Sequence, residues 1–221
     1  MIKTRGLGKT YRDDIVTTAL QNINLSVDEG EFVAVMGPTG SGKTTLLNIL
    51  GLIDSATEGD YKLFRQDVSH LTEIEKAVIR KENIGFVFQS PNLINEMSVY
   101  ENIEFPLMFL KISSSERKQR VHEALERIQL FTRRRNFPPN LSGGQKQKIA
   151  IARALITRPK FIIVDEPTGH MDTSAAGDIM EFLAGLNSEG STILMATHSD
   201  YCAHFSQRII YIKEGTIPVP K

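Results

Sequence analysis

The residues Gly37-Pro38-Thr39-Gly40-Ser41-Gly42-Lys43-Thr44-Thr45 have the types and spacing for phosphate chemistry. They fit G-x-x-x-x-G-K-[ST], and they stand where such a loop must stand, between a strand and a helix. Glycines let the backbone wrap tightly around a polyphosphate, so that amide N–H groups point inward at its oxygens. The positive end of the following helix adds favourable potential. Lys43 supplies a mobile cation for β- and γ-phosphates, and the Thr44 hydroxyl is a Mg²⁺ ligand. This pattern predicts nucleoside triphosphate binding.

Two further groups join it. Asp165 ends an apolar strand and is followed by Glu166 and Pro167-Thr168-Gly169. An aspartate at a strand's carboxyl end beside a phosphate loop can hold Mg²⁺, usually through water. The next carboxylate is placed to polarise a water for in-line attack on the γ-phosphate. Leu141-Ser142-Gly143-Gly144-Gln145 opens another helix, with Ser142 as N-cap and two glycines leaving N–H groups open to an anion. It has no lysine–hydroxyl pair of its own.

The elements that must position these groups read as an α/β chain. Phe32 to Met36 is an apolar run of strand length, and Thr45 to Leu52 reads as the helix after it. Ile23, Leu25 and Val27 alternate with polar residues, which predicts a half-buried antiparallel strand. Tyr61 to Phe64 and Ile84 to Phe88 are further strands. From about residue 92 to 157 the pattern is helical, with Val121, Ala124, Leu125 and Ile128 on one face. Phe161 to Val164 and Thr192 to Ala196 are apolar throughout, which suits a parallel sheet covered on both faces. The stretch Ala175 to Leu186 is the crossover helix between them, and Ile209 to Ile212 is a last strand. Arg133-Arg134-Arg135 reads as a solvated surface, since three adjacent residues cannot share one helix face.

Bulk numbers bound the function. A chain of 221 residues holds one sizeable domain. Lys+Arg 26 balances Asp+Glu 26, so whole-chain charge makes no case for nucleic acid. Met1 to Arg5 lacks the apolar core of a secretion signal, and no apolar run approaches the roughly 20 residues of a membrane span. Cys202 is the single cysteine, which excludes an internal disulfide. The expectation is a cytoplasmic protein that reaches a membrane through a partner.

Taken together, these motifs resemble the ATP-binding subunit of an ABC (ATP-binding cassette) transporter, in that family's order and over nearly the whole chain. The resemblance implies a P-loop NTPase core (1–91 and 157–221) with a parallel sheet, a small antiparallel β subdomain and an inserted helical subdomain (92–156). It implies that Gln89 matches the loop glutamine that meets Mg²⁺ and the coupling helix of a permease. Asp172 matches the dimer-contact aspartate, His198 the switch histidine at the γ-phosphate, and Tyr11 the aromatic that stacks on adenine. It also implies a head-to-tail homodimer, in which each Ser142-Gly143-Gly144 closes on the ATP held by the other copy's Lys43. Gly85 to Gln89 with Asn92-Leu93, Glu101-Asn102-Ile103 and Pro106-Leu107 resemble the lipoprotein-releasing and macrolide-export branch. A cell-division ATPase that regulates wall remodelling and the amino-acid importers share many of these residues. Two positions depart from the family's pattern: His170 in Gly169-His170-Met171-Asp172, and Lys148 where arginine is usual.

Overall fold

A computed structural model describes residues 1–12, 16–169 and 171–218. The chain begins with strands β1 (Ile2–Arg12), β2 (Val16–Ile23) and β3 (Ser26–Val27), then β4 (Phe32–Met36) and helix α1 (Lys43–Leu50). Next come β5 (Glu58–Leu63), β6 (Gln66–Asp67), α2 (Glu73–Asn83) and β7 (Ile84–Val87). A helical segment follows, α3 (Val99–Glu104), α4 (Ser114–Arg127) and α5 (Gly143–Leu155). The chain returns through β8 (Phe161–Asp165), α6 (Thr173–Ser188), β9 (Thr192–Thr197), α7 (Asp200–Ala203) and β10 (Arg208–Tyr211).

Two sheets result. The parallel one runs β10-β4-β9-β8-β7, and the antiparallel one runs β2-β1-β5-β6 with β3 also on β1. Every residue of β4, β8 and β9 is buried, as expected when both faces of a parallel sheet are covered. The two-residue side-chain period divides them cleanly. Val33, Val35, Ile163, Leu194 and Ala196 join α1 and the antiparallel sheet in one core cluster. Phe32, Ala34, Ile162, Val164, Ile193 and Met195 face α6 and α7 in another. The helical segment has a third cluster, centred on Val99, Ile103, Val121, Leu125 and Ile149.

Most expected elements form with shifted ends, but the strand expected across Ile23, Leu25 and Val27 is split, with Ile23 ending β2, Val27 ending β3 and Leu25 in neither. Helix α1 starts at Lys43 and stops before Gly51, and the crossover helix α6 is longer at both ends. Phe64 lies outside β5 because its φ of 51° leaves the extended region. Phe88 lies beyond β7. Strand β1 and helix α2 are additions that the sequence pattern did not predict.

Register sets the working edge. Met36 pairs with Thr197, and Asp165 with Ala196. The carboxyl ends of three adjacent strands therefore point Gly37, Glu166 and His198 at one rim.

Candidate active site

The phosphate loop links β4 to α1. Gly42 is the helix N-cap with φ 103° and no side-chain cap, so the first amides of α1 have no partner from a cap. Gly40 also has a positive φ, 80°, while Pro38 and Thr39 are exposed. The back of the loop is tightly held. The Gly215 N–H donates to the Ser41 carbonyl at 3.0 Å. A Cβ at Gly37 would lie 2.3 Å from the Ile212 carbonyl, and one at Gly42 2.7 Å from that of Ala19. These two positions require glycine. The Ser41 hydroxyl is buried without a partner. Lys43 curls back over its own loop, donating to the carbonyls of Gly37 (2.7 Å) and Pro38 (3.0 Å). Its ammonium lies 3.9 Å from Glu166 Oε1. A cation so placed marks the position of an anion seated in the loop.

The acidic rim follows from β8 and β9. The Thr44 hydroxyl donates to Asp165 Oδ2 at 2.9 Å, while Asp165 Oδ1 is buried with no partner. Burial pushes the Asp165 carboxyl above the usual aspartate range; the Thr44 bond opposes this, Glu166 adds repulsion and Lys43 attraction. A desolvated carboxylate with one orphaned oxygen beside a threonine hydroxyl fits a divalent cation, and the exposed Gln89 amide shares the cleft. Glu166 turns the chain at φ 45°, a left-handed backbone that costs a non-glycine residue about 1 kcal/mol. Its N–H bonds the Ala196 carbonyl (3.0 Å). Its Oε2 lies 2.8 Å from His198 Nδ1 and also accepts the His198 backbone N–H. Glu166 thus stands between Lys43 and His198.

Most of these groups share one open cleft of about 470 Å³, which Gly37, Pro38, Ser41 and Asp165 do not line. Thr39, Gly40, Gly42, Lys43, Thr44, Thr45, Gln89, Glu166 and His198 line it together. Thr17, Thr18 and Ala19 of β2 and Glu214 and Gly215 of the turn after β10 also line it, and sequence reasoning missed them. Their residue types carry no chemical signature. Tyr11 does not line this cleft; its hydroxyl donates to Asp54 Oδ2 at 2.9 Å, and Lys9 Nζ lies 4.7 Å from its ring centroid.

The second glycine-rich element lies elsewhere. Ser142 caps α5, accepting the Gln145 N–H (3.3 Å) while Gln145 Oε1 accepts the Ser142 N–H (3.1 Å). This reciprocal capping box satisfies two end groups. Ser142 and Gly143 are exposed. Asp172 caps α6 by accepting the Ala175 N–H at 2.9 Å, and a Cβ on Gly144 would rest 3.5 Å from Ala175 Cβ. The starts of α5 and α6 are thus neighbours, but neither Ser142–Gln145 nor Asp172 reaches the Lys43 cleft. Lys148 Nζ donates to Asp178 Oδ2 at 3.2 Å. Arg133 and Arg135 are exposed and Arg134 covers the Phe131 ring; His170 lies outside the described residues.

The ABC transporter family pattern matches residues 20–169. The chain is 45% identical over 223 residues to the ABC transporter ATP-binding protein MJ0796 of Methanocaldococcus jannaschii, spanning 98% of this chain and 95% of that one. A dimeric post-hydrolysis structure of MJ0796 bound to ADP and Pi matches with a TM-score of 0.92 at 41% identity, covering 100% of this chain and 98% of that chain. The ABC transporter ATP-binding protein YvrO of Bacillus subtilis is 43% identical over 98% of this chain and 95% of its own length. The macrolide export ATP-binding/permease protein MacB of Bdellovibrio bacteriovorus is 40% identical over 98% of this chain, which spans 33% of that longer protein. By sequence, by fold and by the phosphate loop with its acidic rim, this chain belongs to the ABC transporter family as an ATP-binding cassette ATPase.

Proposed function

We propose that two copies of this chain face head to tail, with two ATP molecules between them, and that their opening and closing drives a membrane permease. Each ATP sits in the Gly37–Thr45 loop of one copy and under the Ser142-Gly143-Gly144-Gln145 cap of the other. The observation that carries this reading is the division of labour within one chain. Lys43, Thr44, Glu166 and His198 share a cleft, while an exposed, anion-suited helix start is left out of it. A two-fold arrangement unites the halves, and the cassette that is 41% identical is a dimer bound to ADP and Pi.

Within this arrangement Tyr11 stacks on the adenine and the loop amides and Lys43 hold the phosphates. Mg²⁺, held by Thr44, Gln89 and, through water, Asp165, would neutralise charge developing on the β- and γ-phosphate oxygens. Glu166 accepts the proton of the attacking water, and His198, already fixed on Glu166 Oε2, contacts the γ-phosphate. Asp172 contributes the dimer contact beside Gly144. Domain boundaries follow: a nucleotide core of 1–91 and 157–221, and a helical subdomain of 92–156.

A groove of about 450 Å³ next to Gln89 is the seat for the permease. Its lining includes Arg80, Phe86, Phe88, Ile94, Phe105 and Phe109. Among the described residues no helix is long and apolar enough to cross a membrane, so membrane attachment at the cytoplasmic face comes through that partner. The branch is that of macrolide export and lipoprotein release, supported by the 40% identity to a macrolide export protein.

Glu166→Gln tests the core of the reading. It should leave ATP binding intact, slow turnover by at least about 100-fold, and trap an ATP-bound dimer visible by light scattering. An unchanged hydrolysis rate removes Glu166 as the base. Full turnover by a chain held monomeric at high dilution overturns the shared site.

A further inference from the structure

We propose that Gln147 and Arg153 are positioning residues for Gln89, fastening its loop to the helix that starts at Ser142. The inference rests on the reading above and extends it to how the two kinds of active-site edge communicate. Both side chains project from α5, and both are spent on backbone carbonyls of the Gln89 loop. Gln147, fully buried, donates from Nε2 to the Phe88 carbonyl at 3.2 Å. Arg153 uses its fork on two successive carbonyls, Nη2 to Pro91 (2.8 Å) and Nη1 to Asn92 (2.7 Å). Gln89 and Ser90 are therefore bracketed on both sides. The two anchors are about 9 Å apart along the helix axis, so the loop cannot pivot on a single point.

The chemistry of the two anchors makes the joint stiff. Burial lowers the pKa of the Arg153 guanidinium, and no carboxylate lies within ion-pair distance of it among the described residues. A desolvated cation without a counter-ion depends on its hydrogen bonds, so releasing the loop carbonyls is costly. Gln147 Oε1 is buried without a partner, so its amide has one hydrogen-bonded anchor, on the Gln89 loop. Lysine at 153 could not reproduce this, since a point donor cannot span two carbonyls in a fixed plane. Gln89 reaches the nucleotide bound by its own copy, whereas Ser142 reaches the one bound by the other. A stiff joint between them makes occupancy of one site felt at the second.

Arg153→Lys and, independently, Gln147→Met test the joint in the full chain. Neither residue lines the nucleotide cleft, so the affinity for ATP should stay within about twofold of wild type, with kcat at least tenfold lower and KM nearly unchanged. Gln89→Ala supplies the decisive background: there, adding either substitution should lower kcat by less than twofold, because the residue being positioned is gone. Fully additive losses overturn the proposal and leave the ATPase reading standing. A Gln89→Ala chain with wild-type kcat overturns both the joint and the assigned role of Gln89.

Discussion

Helices α1 and α5 both begin on glycine-rich sequence, yet their starts are opposites. At α1 the N-cap is Gly42, no side chain caps the helix, and Lys43 is 7% exposed. The loop amides have no side-chain substitute and the nearby ammonium borrows carbonyls from its own loop. At α5 the cap residue is Ser142, its box with Gln145 is complete, and the lysines that follow, Lys146 and Lys148, lie within the helix and not directly after the cap. The first start is unfinished without an anion; the second is a finished structure with a face to lend. A glycine-rich cap is therefore informative only together with what already satisfies its amides.

The sharpest way to break this contrast is Lys43→Ala. It should weaken ATP binding by at least about 100-fold, equivalent to about 2.7 kcal/mol, in an equilibrium titration with labelled ATP. A loss under tenfold would make the two helix starts equivalent as phosphate binders.

Gly143→Ala probes the other side. No atom lies within 4 Å of where its Cβ would be, so the fold accepts it and thermal stability should rise by about 0.5–1 kcal/mol. Turnover should nevertheless fall at least tenfold, about 1.4 kcal/mol, with ATP binding to the dilute monomer unchanged. Stability and activity moving together upward would refute the lent face.

Asp165→Asn sharpens the account of the unfinished start. The folded chain holds the Asp165 proton more tightly than the unfolded chain does. Stability from the protonated form is thus complete below the ordinary value of 3.8 and is lost as pH rises through the elevated folded value. At neutral pH the charged carboxylate destabilises the nucleotide-free chain. Asparagine keeps an oxygen for Thr44, so its unfolding midpoint at pH 7 should exceed wild type, and the gain should vanish in acid. Mg²⁺-dependent ATP binding should weaken at the same time. A lower midpoint at pH 7 contradicts the desolvation argument.

The smallest effect belongs to Lys148→Arg on α5. Its partner Asp178 is well exposed, and such surface pairs contribute about 0–1 kcal/mol. Chemical denaturation should register a shift inside that range, whereas a larger one would mean that α5 is held by this pair and not by its buried face.

The three buried strands of the parallel sheet were legible because β4, β8 and β9 are apolar without interruption. Strand β1 was not. Gly6 takes φ 58°, and register shifts between Arg5 and Gly8 break its alternation. Helix α2 lacks an apolar stripe: its one buried residue is Lys76, while Ile74 is 80% exposed. The sign it did offer was the Thr72–Glu75 capping box. The gathering of Lys43 and Glu166 was readable from strand-end chemistry beside the phosphate loop, whereas His198 joined them only through the family resemblance. Thr17, Thr18 and Glu214 were hidden because a cleft wall needs shape and no particular functional group. Gln147 and Arg153 were hidden for another reason. They recognise main-chain carbonyls, which every sequence presents alike.

Strand β4, which feeds the phosphate loop, has β10 on one side and β9 on the other, and the loop's rear is stitched to Gly215. During synthesis the loop emerges well before its supports, which lie more than 100 residues further along the chain. Until then a wholly apolar strand has neither lateral neighbour, a state open to wrong pairing. Such a half-made chain offers nucleotide an incomplete pocket, because Glu214 and Gly215 supply part of the cleft wall. ATP thus acts as an inspector of the fold, stabilising only chains in which β9 and β10 have docked beside β4.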